Sequence, residues 1–277
     1  MASSQKTFLG IDIGGSKIEG ILWSRGVLRA KKINTASSRK KFLEDLFDLV
    51  TELKAGRKIF GIGIGSAGTI DLGSGRILFG PNTKILNKLD LAAFLRKKFK
   101  TPVRVDNDAK CFLRGEHMFG SGRGKKHLVG LTLGTGVGGA VISDGKMLRG
   151  SATTAYELGH MIIADRGLTP EKLISSHGFR VNPLRIQNAA FAGNAAATRI
   201  YDKIGKHLGV TLANLANIFE PELMIIGGGI SRAGDLLLRP ALKEMKKHVT
   251  DSVRIPPVKI SKLKYAGALG AAALFKD

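Results

Sequence analysis

The sequence predicts an α/β protein made of two related lobes, and three observations support this fold class. The chain has 277 residues, which exceeds the usual size of one domain and suits two lobes of roughly 100–150 residues each. Apolar stretches with strand and helix spacing alternate along the chain, and 36 glycines suit tight turns between them. An internal repeat also relates the two halves.

The repeat appears when residues 8–23 are laid over residues 128–143. Both segments have the pattern of a strand, a glycine turn and a second strand, so the same hairpin is expected to open each half. Glycines and small hydroxyl residues in such turns expose backbone N–H groups, which can surround phosphate oxygens. The aligned turn positions are Asp12 with Thr132, Gly14 with Gly134, Gly15 with Thr135 and Ser16 with Gly136.

The remaining pattern continues the alternation of strands and helices. The predicted elements are a helix at 42–53, a strand at 58–65, a helix at 90–99 capped by Asp90, a strand at 103–105, a helix from Asn107, a core-facing helix at 203–219, a strand at 223–226 and a small-residue helix at 265–274. We therefore place the first lobe at residues 1–106 and the second at 107–262, and expect residues 263–277 to pack back onto the first.

Composition excludes several classes of protein. The single cysteine, Cys111, excludes an intramolecular disulfide and a multi-cysteine zinc site, and it favours a reducing, cytoplasmic setting. No uncharged apolar run reaches the ~20 residues that span a bilayer, and the first residues lack the pattern of a signal peptide. A cytoplasmic protein without a membrane segment is therefore expected.

The net charge of +22 is high for a metabolic enzyme. Two interpretations stay open: a solvated basic surface, or attraction to polyanions such as nucleic acid or polyphosphate. The lysines and arginines occur in short clusters without interleaved aromatic residues, which favours the first interpretation.

Polar residues that suit chemistry occur in two segments. Asp106, Asn107 and Asp108 lie where a strand is predicted to give way to a helix, and a carboxylate there can either cap the helix or act on a ligand. Glu157 and His160 suit hydrogen bonds to a polyol, and they lack the further histidine or cysteine that a zinc site needs.

Five motifs together resemble the ROK family of sugar kinases and repressors. They are DIGGSK at 12–17, NDAK at 107–110, GTGVGG at 134–139, ELGH at 157–160 and GGGIS at 227–231. Each motif alone is unspecific, but the set occurs in consistent order over nearly the whole chain. The resemblance implies a two-lobe actin-like ATPase (ribonuclease H-like) fold with an active-site cleft between the lobes. It also implies a homodimer that transfers a phosphoryl group from ATP, bound with Mg²⁺, to a hexose such as glucose.

The resemblance also implies roles for individual residues. Asp108 matches the general base that accepts the proton of the sugar hydroxyl, and Mg²⁺ is expected near Asp12. The implied sugar-binding residues are Gly65, Ser66, Asn82, Asn107, Asp108, Glu157, His160 and Glu171. The implied nucleotide-binding residues are Asp12, Gly14, Gly15, Ser16, Lys17, Gly134, Thr135, Gly136, Gly138, Gly227, Gly228 and Gly229.

The chain departs from the family after the ELGH motif. Many members carry a cysteine-rich zinc loop there, whereas residues 162–179 contain no cysteine, so no zinc is expected. The segment resembles a shortened loop that keeps Glu171, and a group that the sequence does not identify must orient His160. Ser66 and Ala67 stand where relatives often carry proline and glycine, so the identity of the hexose stays open.

Two alternatives to an ATP-dependent kinase stay open. Inorganic polyphosphate is an alternative donor, which zinc-free relatives and the basic surface both favour. A non-catalytic sugar-binding regulator is the other, because the family includes repressors. Those carry an N-terminal DNA-binding domain, and the predicted start of the first strand at Phe8 leaves no room for one.

Overall fold

The structure, a computed structural model, describes residues 6–71, 73–80, 84–151, 156–179 and 182–276. These residues form two compact units. The first takes its residues from 6–123, 149–151 and 263–276, and the second from 124–148 and 156–262. The predicted boundary between residues 106 and 107 lies inside the first unit, because the helix that starts there packs on the C-terminal helix of the same unit.

The described strands and helices follow one another in the order expected of an α/β protein. In chain order they are β1 (Phe8–Ile13), β2 (Lys17–Trp23), β3 (Val27–Asn34), α1 (Arg39–Lys54), β4 (Gly61–Ser66), β5 (Thr69–Asp71), β6 (Arg76–Phe79), β7 (Leu89–Asp90), α2 (Leu91–Phe99), β8 (Val103–Asn107), α3 (Asp108–Phe119), β9 (Leu128–Leu133), β10 (Val137–Ser143), β11 (Lys146–Met147), α4 (Pro170–Ile174), α5 (Ser176–Phe179), α6 (Pro183–Phe191), α7 (Ala195–Phe219), β12 (Leu223–Gly227), α8 (Asp235–Met245), β13 (Val258–Ile260) and α9 (Ala266–Ala272).

The first unit is built on a five-stranded sheet in the order β3-β2-β1-β4-β8. Strands β1 to β3 form an antiparallel meander, and β4 and β8 run parallel to β1. The parallel strands therefore end at the same edge of the sheet, where Ile13 pairs with Ser66 and Ser66 pairs with Asn107. A small sheet, β5-β6-β7, accompanies it.

Helices cover both faces of this sheet. Alternate residues of β1 point to opposite faces, so Leu9 and Ile11 pack with the apolar sides of α1 and α2, while Phe8 packs with Ala268 of α9. Gly10 shares the face of Phe8. A Cβ at Gly10 would lie 1.9 Å from the carbonyl oxygen of Ala268, so the backbones of β1 and α9 approach as closely as glycine permits.

The second unit repeats this arrangement. Its sheet has the order β11-β10-β9-β12-β13, with β9 and β10 antiparallel and β12 and β13 parallel to β9. The hairpin β9-β10 begins and ends at positions equivalent to those of β1-β2, which confirms the predicted internal repeat.

The long helix α7 starts earlier than the predicted residue 203. Asn194 caps it, since its side chain accepts a hydrogen bond from the Ala197 amide at 3.0 Å, and Ala197 and Tyr201 extend its buried face. Gly205 and Gly209 let α8 pack closely against α7, because a Cβ at either position would lie 2.5 Å from α8 atoms.

Among the described helices, none combines the length and the apolar character that crossing a membrane requires.

The close approach of α9 to the first sheet gives a test of the fold. A Cβ at Gly63 of β4 would lie 1.8 Å from the carbonyl oxygen of Ala271, so we expect Gly63→Ala to lower the free energy of unfolding by about 2–3 kcal/mol. Urea unfolding followed by tryptophan fluorescence would measure this free energy. Trp23, the one tryptophan of the chain, lies in the first unit with Gly63 and reports on that unit.

Gly26→Ala is the matched control, because a Cβ there would meet no atom within 4 Å and a change below about 0.5 kcal/mol is expected. Equal unfolding midpoints for the two variants would contradict the assigned packing of α9.

Candidate active site

Polar residues gather at the edge of the first sheet where β1, β4 and β8 end. Asp12 lies near the end of β1, and Asp108 is the first residue of α3, directly after β8. Register places Asp12 opposite Gly65 and Gly65 opposite Asp106, so the ends of the three strands are neighbours. The carboxyl edge of parallel strands is where α/β proteins usually bind ligands.

The carboxyl group of Asp12 lies in an unusual environment for an acid. Although part of the residue is accessible, a Cβ at Gly267 of α9 would lie 2.3 Å from its Oδ2 atom. Burial of the group, reinforced by the neighbouring carboxylates of Asp108 and Glu19, raises the pKa of Asp12 to about 8. A divalent cation or a proton would therefore stabilise the Asp12 carboxyl group in this environment.

These residues fit Mg²⁺ as a phosphate-bound cofactor. Mg²⁺ prefers oxygen ligands and is commonly held by one or two carboxylates together with substrate phosphates and water. Asp12 supplies such a carboxylate, and the negative potential of Asp108 nearby favours a cation. Within the described residues, no group of three or more histidine, cysteine or acidic side chains is placed to hold a metal by itself.

Asn107, and not Asp108, caps helix α3. Its Oδ1 atom accepts hydrogen bonds from the amides of Ala109 at 3.0 Å and Lys110 at 3.2 Å, and its Nδ2 atom donates to the carbonyl oxygen of Gly68 at 3.2 Å. The predicted sugar-binding role of Asn107 thus competes with bonds that its side chain already makes. Asp108 is half-buried, with Oδ1 accepting from the amide of Ala109 at 2.9 Å.

The turn of the first hairpin is held from outside by a residue that sequence reasoning missed. Thr35, just after β3, donates its hydroxyl to the Gly14 carbonyl oxygen at 2.8 Å, and its amide donates to the Ser16 carbonyl oxygen at 3.0 Å. Gly15, Ser16 and Lys17 are exposed in this turn. The predicted phosphate turn is therefore accessible and braced, and β-sheet pairing of β2 with β3 brings the brace into position.

Two of the predicted sugar contacts look different in the structure. Ser66 is fully buried, so its side chain is not accessible, and a Cβ at Gly65 would lie 3.0 Å from the Cβ of Cys111. Burial of Ser66 follows from its position at the end of the inner strand β4, every residue of which is buried. Asn82 lies outside the described residues.

In the second unit, two glycine turns lie at one edge of the sheet. Strands β9 and β12 are parallel neighbours, with Gly227 paired to Thr132, so the turn at residues 134–136 lies beside the one at 228–229. Gly228 has a φ of +91°, and a Cβ there would lie 2.3 Å from the Leu133 carbonyl oxygen. This position requires glycine, and it brings the predicted nucleotide residues of this unit together.

The ELGH segment is anchored to the same hairpin. A Cβ at Gly159 would lie 2.1 Å from the Val137 carbonyl oxygen, and Leu158 is buried against Gly139, so the 3₁₀ turn Leu158–His160 sits directly on β10. Glu157 and His160 flank these buried residues and are both exposed. The local packing therefore presents the two predicted sugar-binding side chains to solvent.

Glu171 has a structural partner that the sequence did not reveal. Its Oε2 atom accepts a hydrogen bond from the Val137 amide at the end of the second glycine turn. The next helix is tied to that turn as well, because the amides of Ser176 and His177 donate to the carbonyl oxygens of Gly134 and Thr135. The contact of Glu171 with a sugar stays a prediction. In the structure the Glu171 carboxylate holds the end of the second glycine turn through the Val137 amide.

Asp106, which belongs to the predicted segment of polar residues, is a buried ion-pair partner in the structure. It is 1% exposed, pairs with Arg149 at 2.8 Å, and accepts a hydrogen bond from the amide of Asn107 at 2.9 Å. The buried guanidinium of Arg114 lies 4.0 Å from the same carboxylate. This ion pair holds the end of β8 close to Asp108, and Arg149 is 43 residues from Asp106, which is too distant for a local sequence pattern to reveal.

The fold and the paired glycine hairpins define a class of protein, the two-unit α/β proteins of the actin-like ATPase fold. Comparison with solved structures agrees with the predicted fold class. A ROK-family glucokinase from Streptomyces griseus, solved with glucose and AMPPNP, superposes with a TM-score of 0.88 at 28% identity, over 97% of this chain and 98% of that one. An inorganic polyphosphate/ATP-glucomannokinase from Arthrobacter superposes with a TM-score of 0.74 at 27% identity, over 98% of each chain.

Sequence comparison is more specific. The ROK family model matches residues 8–277, and the glucokinase of Thermotoga maritima is 31% identical over 97% of each chain. The chain belongs to the ROK family.

The raised pKa of Asp12 predicts a pH dependence of stability. Between about pH 4 and pH 8 the folded protein keeps a proton on Asp12 that the unfolded chain has lost, so this group makes stability fall as pH rises through that window. Asp12→Asn resembles the protonated acid, and we expect its stability to fall less from pH 5 to pH 8. Thermal unfolding of both proteins in EDTA would measure the difference, and parallel pH profiles would contradict the assigned environment.

Proposed function

We propose that this ROK-family protein is a hexose kinase that uses ATP, with glucose as its first-choice substrate and Asp108 as the general base. The observation that carries this proposal is the pair of carboxylates at the edge of the first sheet, one next to the turn that Thr35 braces and one at the start of α3. The relatives named glucokinases support the choice of glucose.

In the proposed reaction, Asp108 accepts the proton of a sugar hydroxyl while that oxygen attacks the γ-phosphorus. The bond between the γ-phosphorus and the bridging oxygen of ADP breaks, and the products are a sugar phosphate and ADP. Phosphoryl transfer depends chiefly on positioning and electrostatic stabilisation, so the protein needs to supply little covalent chemistry. The N-cap of α3 is Asn107 and not Asp108, which supports the proposed role of Asp108 as base.

The remaining residues are proposed to bind and orient. Backbone amides of the first hairpin turn are proposed to bind phosphate oxygens, and those of the second hairpin turn and of Gly228 and Gly229 are proposed to bind the nucleotide. Asp12 would hold Mg²⁺ together with phosphate oxygens, and the ion neutralises phosphate charge when bound. Glu157 and His160 would donate or accept hydrogen bonds with the sugar hydroxyls.

Replacing the proposed base gives the most direct test. We expect Asp108→Asn to lower kcat by about 10²–10⁴-fold with a small change in KM, because the isosteric amide cannot accept the proton. A coupled assay of ADP release across a panel of hexoses would measure it. Asp251→Asn, at an exposed position, is the control and should retain full activity. Unchanged turnover in Asp108→Asn would refute its role as base.

The glycine turn after β12 provides a matched pair of variants for nucleotide binding. Gly228→Ala forces a side chain into the left-handed region and against Leu133, whereas a Cβ at Gly229 meets no atom within 4 Å. We expect Gly228→Ala to weaken AMPPNP binding by about tenfold or more, measured by calorimetry, and Gly229→Ala to weaken it less. The opposite order would contradict the assigned turn.

Polyphosphate is a second candidate donor. The similarity to a polyphosphate/ATP-glucomannokinase and the net charge of +22 both favour it. Glucose phosphorylation measured with ATP and with polyphosphate, at low and high salt, separates the two donors. Polyphosphate use should be strongly suppressed by salt if it depends on the basic surface. Glucose binding without turnover from either donor would instead support a sugar-binding regulator.

A further inference from the structure

A basic cavity lies along the outer edge of the first sheet. Consecutive residues of the edge strand β8, Val103 to Asp106, line one side of it, and its volume is about 380 Å³. This volume falls within the ~300–1,000 Å³ that is typical of sites for small molecules. The other lining residues come from the turn at 73–75, α2, α3 and the segments around residues 149 and 274.

The charges around this cavity are strongly unbalanced. Four arginines line it, namely Arg96, Arg104, Arg114 and Arg149, and among the described lining residues Asp106 is the one carboxylate. The lining side chains thus carry three net positive charges. Such an excess in a concave site concentrates the potential and attracts small anions.

The base of the cavity is a built ion-pair cluster. Asp106 and Arg114 are both more than nine-tenths buried, and Arg149 pairs with Asp106 at 2.8 Å while its side chain stays 32% exposed. Arg149 therefore presents part of its guanidinium to the cavity from a fixed position. Asp106 thus lies beside Arg149 and Arg114, whereas the two outer lining arginines, Arg96 and Arg104, bond to backbone carbonyl oxygens.

Neutral backbone groups hold the two outer arginines in place. Arg96 donates from Nε to the Ala92 carbonyl oxygen at 3.1 Å and from Nη2 to the Ser74 carbonyl oxygen at 2.9 Å. Arg104 donates to the Leu274 carbonyl oxygen and stacks over the ring of Phe275 at 5.0 Å. A guanidinium has five N–H donors, which is more than these bonds use, so both side chains are oriented and can still bind an anion.

The rim of the cavity is also preorganised. Asp71 accepts hydrogen bonds from the Gly73 amide at 3.1 Å and from the Ser74 hydroxyl at 2.7 Å, which shapes the turn that Arg96 then holds. Gly75 has a φ of +79° and lies against Ala92 of α2, so the turn packs tightly on the helix that carries Arg96. The turn and Arg96 are therefore already ordered, and binding of a ligand would cost little conformational entropy there.

We propose that this cavity binds a small phosphorylated anion, with Arg96, Arg104 and Arg149 contacting phosphate oxygens. Guanidinium groups match phosphate in geometry and form short, charge-assisted hydrogen bonds to it. The site belongs to the first unit alone, and binding there does not depend on the proposed kinase reaction. A free phosphate chain and the phosphate group of a sugar phosphate share this chemistry, so the test includes both.

Calorimetric titration of the full chain at low salt tests the proposal, with AMPPNP and glucose present at saturation. The probes are inorganic phosphate, pyrophosphate and glucose 6-phosphate. We expect at least one to bind, and Arg96→Gln and Arg104→Gln each to weaken it by about tenfold, as the loss of one charge-assisted contact predicts. The double variant should lose binding further, and raising the salt should weaken the wild type.

Lys97→Gln is the matched control, because Lys97 is an exposed residue of the helix that carries Arg96 and does not line the cavity. It should bind within about twofold of the wild type. The single variants keep the test decisive if the double variant does not fold. Absence of binding to all three probes, or equal weakening by Lys97→Gln, would overturn the proposal. Failure of the kinase proposal would appear separately, as absent ADP release in the hexose panel.

Discussion

The close approach of α9 to its neighbours is the constraint on which the first unit depends. Glycine stands on both sides of these contacts: a Cβ at Gly63 would lie 1.8 Å from the Ala271 carbonyl oxygen, and one at Gly270 would lie 1.7 Å from the Cys111 carbonyl oxygen. Helix α9 is thereby held between the sheet and α3 at backbone contact. Because α3 begins with Asp108 and Asp12 lies against Gly267, the same packing positions both carboxylates of the candidate site.

This packing also explains the electrostatics of Asp12. A side chain at Gly267 would collide with the carboxylate, while its absence lets the α9 backbone shield that group from water. The raised pKa is therefore a consequence of helix packing as much as of the neighbouring acids. Packing energy and site chemistry are linked through a few glycine contacts.

Local and repeated features of the sequence predicted much of this structure. The hairpins at residues 8–23 and 128–143 and the capping of α2 by Asp90 were recognisable, because each depends on neighbours in sequence. Tertiary partners were not recognisable. Thr35 braces the first turn across a strand, and Arg149 pairs with Asp106 from 43 residues away. Burial of Ser66 likewise depends on the elements that surround β4. The roles proposed for the site residues rest on the family resemblance.

One of the differences between the two copies of the hairpin lies close to the turn. Asp12 in the first copy corresponds to Thr132 in the second, at the same point of the same strand. A carboxylate beside a turn of amides repels phosphate until a cation screens it, whereas a threonine imposes no such condition. At this position one copy thus carries an acidic side chain and the other a neutral hydroxyl, so a divalent cation would matter more for anion binding at the first turn than at the second.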